Sequence, residues 1–377
     1  LLGGCQEEGL GLISGLVEKK PKHPEYRVEL AKALIQMFRR DEAIAELRRV
    51  LDRHPKHVEA SFYLGVALAD QAKYDEAIEQ WKGILRINRK HAPTHYFLGK
   101  VYAVKGMIDA AIHETRKALE IAPQNAMAYA QLGELLLSQE KTQESLRCWQ
   151  VVLQLEPRNL QALHNIGALY LNLGNVDQAL SSFKRALAFG SESPLVYFNL
   201  GVAYAIKQEM DLAMEHWQKA VALEPKYYSA HLNLGGVYAA KGDYEAAIGH
   251  MLKLVELAPG EPDPYIFLAE MYYRSQRHAE ALDASDQAIA LKGDMARAHF
   301  LRGVILLALD RAHDALVSWA RAQQINANVV LEAARFVHAF VPDADIERAD
   351  RAAFTSEQRK VVASVKSLKE KPPSPEG

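Results

Sequence analysis

The sequence predicts an all-α protein, an α-solenoid of stacked helical hairpins, and three observations predict it. Glycine recurs at Gly65, Gly99, Gly133, Gly167, Gly201 and Gly235, each 34 residues from the last, and the register runs on through Ala31, Ala269 and Gly303. Twelve residues after each of these comes a small side chain: Ala43, Ala77, Ala111, Ser145, Ala179, Ala213, Ala247, Ala281 and Ala315. Four residues further on stands a bulky one in most units, namely Leu47, Trp81, Trp149, Phe183, Trp217, Met251 and Trp319, with Thr115 and Ser285 departing. Many units close on proline, at Pro55, Pro123, Pro157, Pro225 and Pro259, while Arg89, Ser191, Gly293 and Ala327 stand there in others. A fixed period of this length means an array of equal supersecondary units.

Each column has a physical reason. Small residues in two columns let the first helix (A) and second helix (B) of a hairpin approach closely. Tyr102, Tyr170, Tyr204, Tyr238 and Tyr272 fill the space beside them, and the bulky column packs helix B against its neighbour. All four tryptophans, Trp81, Trp149, Trp217 and Trp319, fall in that bulky column and are read as core. Proline cannot continue a helix, so it marks the crossing between units. One hairpin cannot cover its own apolar flank, so neighbours must stack.

The pattern resembles the tetratricopeptide repeat (TPR) family over nine units. The best single match is Tyr197-Phe-Asn-Leu-Gly-Val-Ala-Tyr204, and Arg302 departs from the pattern's leucine in the ninth unit. The resemblance implies a right-handed superhelix whose concave groove is lined by the A helices and binds a protein or an extended peptide.

The elements follow in order. Residues 1–5 resemble the lipobox end of a bacterial lipoprotein signal peptide, with Leu2-Gly-Gly-Cys5 placing small residues before a cysteine to be acylated. That resemblance implies a signal sequence upstream of Leu1, a lipid anchor at Cys5 and a place at the cell envelope facing the periplasm; the alternative is a soluble cytoplasmic assembly factor or cochaperone. Residues 6–23 form an N-terminal cap helix with Ile13 and Leu16 in the packing columns and Pro21 at the closing position. The nine units occupy 24–329. Residues 330–368 form C-terminal capping helices, the last opened by a capping box at Thr355-Ser-Glu-Gln358, and 369–377 is a proline-rich, charged, disordered tail.

Composition narrows the function. With 45 basic and 47 acidic residues, the chain lacks the basic surplus that a nucleic-acid binder needs. No apolar run reaches the length of a membrane span. Its two cysteines, Cys5 and Cys148, form no Cys-x-x-Cys motif, and Cys148 reads as a buried or half-buried thiol beside Trp149. His91 and His95 share the four-residue spacing of metal ligands, but Pro93 lies between them and no third ligand is near, so they read as surface histidines. Almost the whole chain is repeat, with no phosphate loop, metal cluster or nucleophile motif outside it. The expectation is a protein without catalysis, cofactor, metal or small-molecule substrate.

In the TPR family the second, fifth, sixth, ninth, twelfth and thirteenth residues of helix A tend to face the groove. Those columns hold Phe62, Tyr63, Tyr96, Phe97, Lys100, His164, Phe198, Phe267, Tyr273 and Arg274. Asn165, Asn199 and Asn233 share one column of three successive units. An asparagine amide offers one acceptor and two donors, so a row of them can pair with an extended backbone without reading its sequence. This row is similar to the asparagine ladder in the repeat domain of O-linked N-acetylglucosamine transferase, though shorter and with no catalytic domain attached. The family's carboxylate clamp needs a basic fifth residue with Asn at the ninth, and no unit has that pair.

Overall fold

A computed structural model describes the backbone of residues 2–326 and the side chains of residues 7–326. The segments expected at 330–368 and 369–377, the last residues of the ninth unit and the side chain of Cys5 lie outside the described residues. Among the described residues the secondary structure is entirely helical, with nineteen helices. The chain divides into two compact units, 1–190 and 191–377.

The first unit opens with α1 (Leu2–Lys19) and continues in hairpins of a 13-residue A helix and a B helix of 13 or 14. These are α2 (Pro24–Gln36) with α3 (Arg40–Arg53), α4 (Val58–Asp70) with α5 (Tyr74–Ile87), and α6 (Ala92–Val104) with α7 (Ile108–Ile121). Then come α8 (Ala126–Ser138) with α9 (Thr142–Leu155), and α10 (Leu160–Asn172) with α11 (Val176–Ala188). The A helices α2, α4, α6 and α8 touch in succession, and α3, α5, α7 and α9 each pack on the A helix that follows. The second unit repeats the scheme: α12 (Pro194–Ile206) with α13 (Met210–Leu223), α14 (Tyr228–Ala240) with α15 (Tyr244–Leu257), α16 (Pro262–Arg274) with α17 (His278–Leu291), and α18 (Ala296–Ala308) with α19 (Ala312–Ile325).

The glycine column works as the sequence requires. A Cβ added at Gly65 would lie 2.2 Å from the Trp81 indole, at Gly167 2.5 Å from the Phe183 ring, and at Gly201 2.4 Å from the Trp217 indole. The rings lie on the A-helix backbone itself, and their indole N–H groups donate to A-helix carbonyls: Trp81 to Phe62 at 3.1 Å, Trp217 to Phe198 at 3.2 Å and Trp319 to Phe300 at 3.0 Å. Where Thr115 replaces the bulky residue, the Gln131 amide from the next A helix donates to its hydroxyl at 2.9 Å and occupies the gap over Gly99. Arg302, the departure in the ninth unit, reaches Asp286 at 2.5 Å and the Ser318 hydroxyl at 2.7 Å.

The A-to-B turns share one device. Phe38, Ala72, Gly106, Glu140, Gly174, Gln208, Gly242, Gln276 and Asp310, 34 residues apart, all have left-handed backbone with φ between 58° and 79°. The next residue's N–H then bonds back to the carbonyl five before it, as Lys73 to Leu68 and Met107 to Tyr102 do. This closes the A helix and reverses the chain.

Three expectations change. In α1 Val17, not Leu16, is the buried residue, while Ile13 packs against the core; Leu16 is exposed. The packed stripe follows a four-residue step from Ile13 rather than three. His95 is not at the surface: it is buried, with Nε2 at 3.0 Å from the Arg89 carbonyl and Nδ1 at 2.6 Å from the Glu114 carboxylate. His91 is half-buried and caps α6, accepting the Thr94 N–H at 3.3 Å.

Candidate interaction face

The A helices present one row of side chains in each unit. In the first unit Phe62 meets Tyr63 and Phe97 edge-on with centroids 5.3 Å apart, and Tyr96 meets Phe97 at 5.3 Å. Phe97 also leans on Trp81 at 5.7 Å, so this aromatic run is anchored in the core and half-buried. Lys32 sits 4.9 Å above the Tyr63 ring and bridges Glu29 at 2.7 Å and Glu59 at 2.5 Å. Burial opposes its charge, but the two carboxylates outweigh that and hold the ammonium above its ordinary range.

Further along lies a hollow of about 490 Å³ lined by Tyr96, Lys100, Val104, Met127, Gln131, Glu134 and Gln161, among others. Lys100 is exposed, and the Gln161 amide donates to Glu134 at 3.2 Å. Burial, with Glu134 adding to it, raises the Tyr96 phenol above its usual range. His164 packs 6.1 Å from the Phe183 ring; burial pushes its pKa down, while a hydrogen bond to Asn165 acts the other way. Asn165 is therefore half-buried and engaged with its own neighbour.

In the second unit Phe198 packs on Tyr227 with centroids 5.2 Å apart, and Asn199 and Asn233 are half-buried on α12 and α14. Asn233 forms part of a second hollow, of about 600 Å³, whose walls include Met210, Leu232, Met251, Phe267, Met271 and Arg274. Glu270, also in its lining, is buried and pairs with Arg274 at 2.5 Å and with Arg297 at 3.3 Å. Tyr273 does not face this surface: it is buried in the core that joins α16, α17 and α18, its ring 5.4 Å from His278.

Of the residues read from sequence, the first hollow therefore brings together Tyr96 and Lys100, and the second Asn233, Phe267 and Arg274. Phe62, Tyr63 and Phe97 form the aromatic run, and His164 with Asn165 a separate local pair. Sequence reasoning missed Met127, Gln161, Gly236 and Arg297. One signal could have found two of them. The ninth residue of an A helix pairs with the second residue of the next, 27 positions on, in Lys32–Glu59, Glu134–Gln161 and Glu270–Arg297.

Cys148 is buried on α9, and burial pushes its thiol up to about 11, so it is a packing residue rather than a nucleophile. Among the described residues no group of three or more His, Cys, Asp or Glu side chains is placed to hold a metal ion, and no helix is long and apolar enough to cross a membrane.

A tetratricopeptide repeat family model matches residues 28–92, 130–194, 164–221 and 268–328, more than half of the chain. Further repeat models match 92–125, 203–242 and 230–265. The chain belongs to the tetratricopeptide repeat family. No curated protein matches it in sequence. Among solved structures it is similar to YrrB, described as a TPR protein with an unusual peptide-binding site, with 25% identity, a TM-score of 0.42, and coverage of 49% of this chain and 95% of that one. PilF of Pseudomonas aeruginosa shares 22% identity with a TM-score of 0.49, covering 56% of this chain and 97% of that one. A TPR protein of Parabacteroides merdae shares 19% identity with a TM-score of 0.46, covering 73% and 98%.

Proposed function

We propose that the chain is a non-catalytic protein–protein interaction scaffold that lays an extended polypeptide, or a segment of a partner subunit, along its A-helix face. The observation that carries this is the pair of hollows, one in each unit, both lined mainly by A-helix residues. Phe62, Tyr63, Tyr96 and Phe97 add aromatic surface of the kind that anchors partners. Asn165, Asn199 and Asn233 supply amides able to pair with a passing backbone.

The test is site-specific photo-crosslinking. A benzoylphenylalanine at Gln131 or Asn233 on the A face should capture a polypeptide from the native source, while the same probe at Lys82 or Lys219 on B helices should not. Equal capture from both faces overturns the reading. Changing Asn165, Asn199 and Asn233 together to Ala, with helicity intact, should lower partner recovery; unchanged recovery removes the asparagine row from the account.

The scaffold is tethered, on this reading, to an envelope membrane through an acylated Cys5, facing the periplasm and assisting assembly of a larger complex. The Leu2-Gly-Gly-Cys5 segment supports this. Acyl chains contribute about 0.8 kcal/mol per buried methylene to membrane binding. A Cys5→Ser change in the full-length precursor should move the protein out of the membrane fraction, and retention there would refute the tether.

A further inference from the structure

We infer that the hollow on α14 and α16 is a specificity pocket for a bulky apolar side chain standing next to a carboxylate, so that this unit selects acidic-apolar peptide segments. The inference rests on the scaffold reading above and names the ligand chemistry of one part of that face.

The hollow exists because one repeat is carved out. At the ninth, twelfth and thirteenth positions of helix A, the seventh unit carries Gly236, Ala239 and Ala240. The same positions hold Lys100, Ala103 and Val104 in the third unit and Glu270, Tyr273 and Arg274 in the eighth. A Cβ added at Gly236 would meet no atom within 4 Å, in contrast to Gly235 one residue before, where it would lie 2.0 Å from the Met251 methyl. Gly235 is therefore required by packing and Gly236 is not. A mid-helix glycine is less favourable than Ala, and here it opens space rather than admitting a neighbour. Met210, Met251 and Met271 line the space with flexible thioethers that adapt to differently shaped apolar groups. Leu232 and Met210 keep 37% and 41% of their surface exposed, so the apolar lining is open to a ligand from outside.

Charge fixes the second half of the ligand. Glu270 is buried at the edge of the hollow, and two guanidinium groups, Arg274 and Arg297, share its single carboxylate. These contacts set two cations against one anion. Arg297 turns outward: its side chain is 60% exposed, and its guanidinium lies 5.4 Å above the ring of Phe267, which itself lines the hollow. A planar guanidinium held in place by a ring and a buried carboxylate is prepared to receive a second carboxylate in fork geometry. Asp263 on the first turn of α16 and Glu261 just before it both act on Tyr228 and are not part of the lining. The occupant is therefore an extended peptide that inserts an aromatic or branched apolar side chain and places Asp, Glu or its own C-terminus over Arg297.

The methionines make the test direct. The intact chain, labelled with carbon-13 at its methionine methyl groups, is titrated with capped peptides of sequence Gly-Gly-Phe-Asp-Gly-Gly, followed by versions with Ala for Phe and with Asn or Lys for Asp. The parent peptide should shift the methyl signals of Met210, Met251 and Met271. The Ala version should leave them in place, and the Lys version should bind about tenfold more weakly or less. Gly236→Leu, which fills open space and replaces a poor helix former, should abolish the shifts, and Arg297→Gln should erase the preference for Asp over Asn. If Asp, Asn and Lys peptides bind alike, the carboxylate half is wrong. If no peptide moves these methyls, or Gly236→Leu binds unchanged, the pocket is wrong. Met127 lines the first unit's hollow and keeps the two readings apart: shifts at Met127 alone overturn this inference while leaving the scaffold reading standing.

Discussion

One structural position is built in contrasting ways in two hairpins of the first unit and two of the second. The fourth residue of helix A faces a helix B residue 19 further on and, where it is long enough, also reaches the carbonyl six residues before it. In two of the first unit's five hairpins the partner is a carboxylate: Glu46 opposite Arg27, and Glu114 opposite His95 at 2.6 Å. In two of the second unit's four hairpins ring meets ring: Tyr197 with His216 at 6.2 Å, and His231 with His250, whose Nδ1 atoms are 2.9 Å apart. His231 Nε2 lies 3.1 Å from the Pro225 carbonyl, as His95 Nε2 lies 3.0 Å from that of Arg89. A carbonyl can only accept, so each ring donates through Nε2. The other nitrogen then meets a pure acceptor in one unit and a second imidazole in the other. Where a brace forms here, its chemistry varies, and that chemistry decides how the hairpin answers mutation and pH.

The largest contrast should come from truncating the B-helix partner. Glu46→Ala leaves the guanidinium of Arg27, whose side chain is only 16% exposed, without its carboxylate, and also removes a partner of Arg49. The cost should be about 2 kcal/mol, between the values for exposed and fully buried ion pairs. His250→Ala removes one neutral hydrogen bond and a ring stacked 5.5 Å from Tyr238, and should cost about 1 kcal/mol. Urea denaturation followed by circular dichroism measures both. Equal losses would erase the distinction between ionic and ring bracing.

Exchange of the chemistry sharpens the comparison through pH. Burial, and then the neighbouring His231, hold the pKa of His250 below the ordinary histidine range. The unfolded chain takes up this proton below about pH 6.5 while the folded chain resists it, so His250 withdraws stability as pH falls through that range. His91 and His164 in the first unit are also held low by burial and contribute in the same direction, so the whole-chain slope contains them. His250→Glu isolates the position, because it rebuilds in the second unit the ring-and-carboxylate pair of His95 and Glu114. The stability lost between about pH 7.5 and about pH 5.5 should be smaller in this variant than in the parent chain. An unchanged or steeper loss would show that the pair does not govern the response.

These braces also show what sequence could and could not reveal. The glycine, alanine and bulky columns were legible because each demands one kind of side chain, and the clash that a Cβ would make at Gly65 or Gly201 is the physical form of that demand. The brace position was illegible as a column, since it holds Arg27, His95, Tyr197 and His231; its meaning lies in the partner 19 residues away. For that reason His95 looked like a surface histidine. The candidate face was legible in part. Lys100, Asn233, Phe267 and Arg274 stand in the hollows, whereas Tyr273 lies in the core despite its groove position. Gly236 and Arg297 escaped because a hollow is made by what is missing from one repeat and an ion pair by residues from two.

The smallest effect concerns the turns, where the two units agree. All nine A-to-B turns need left-handed backbone, yet only Gly106, Gly174 and Gly242 meet that need without steric cost. Ala72 has φ 59° and is exposed. Ala72→Gly relieves the left-handed penalty of about 1 kcal/mol but loosens the unfolded chain, and should stabilise by about 0.5 kcal/mol. Gly242→Ala imposes the penalty in the second unit, and should destabilise by about 1 kcal/mol. The two signs must be opposite if the turn, rather than the side chain, sets the conformation; chemical denaturation of the two variants at one pH decides it. Phe38 is the poor choice for this experiment, since Arg40 lies 5.1 Å over its ring and the loss of that contact would mask the backbone gain.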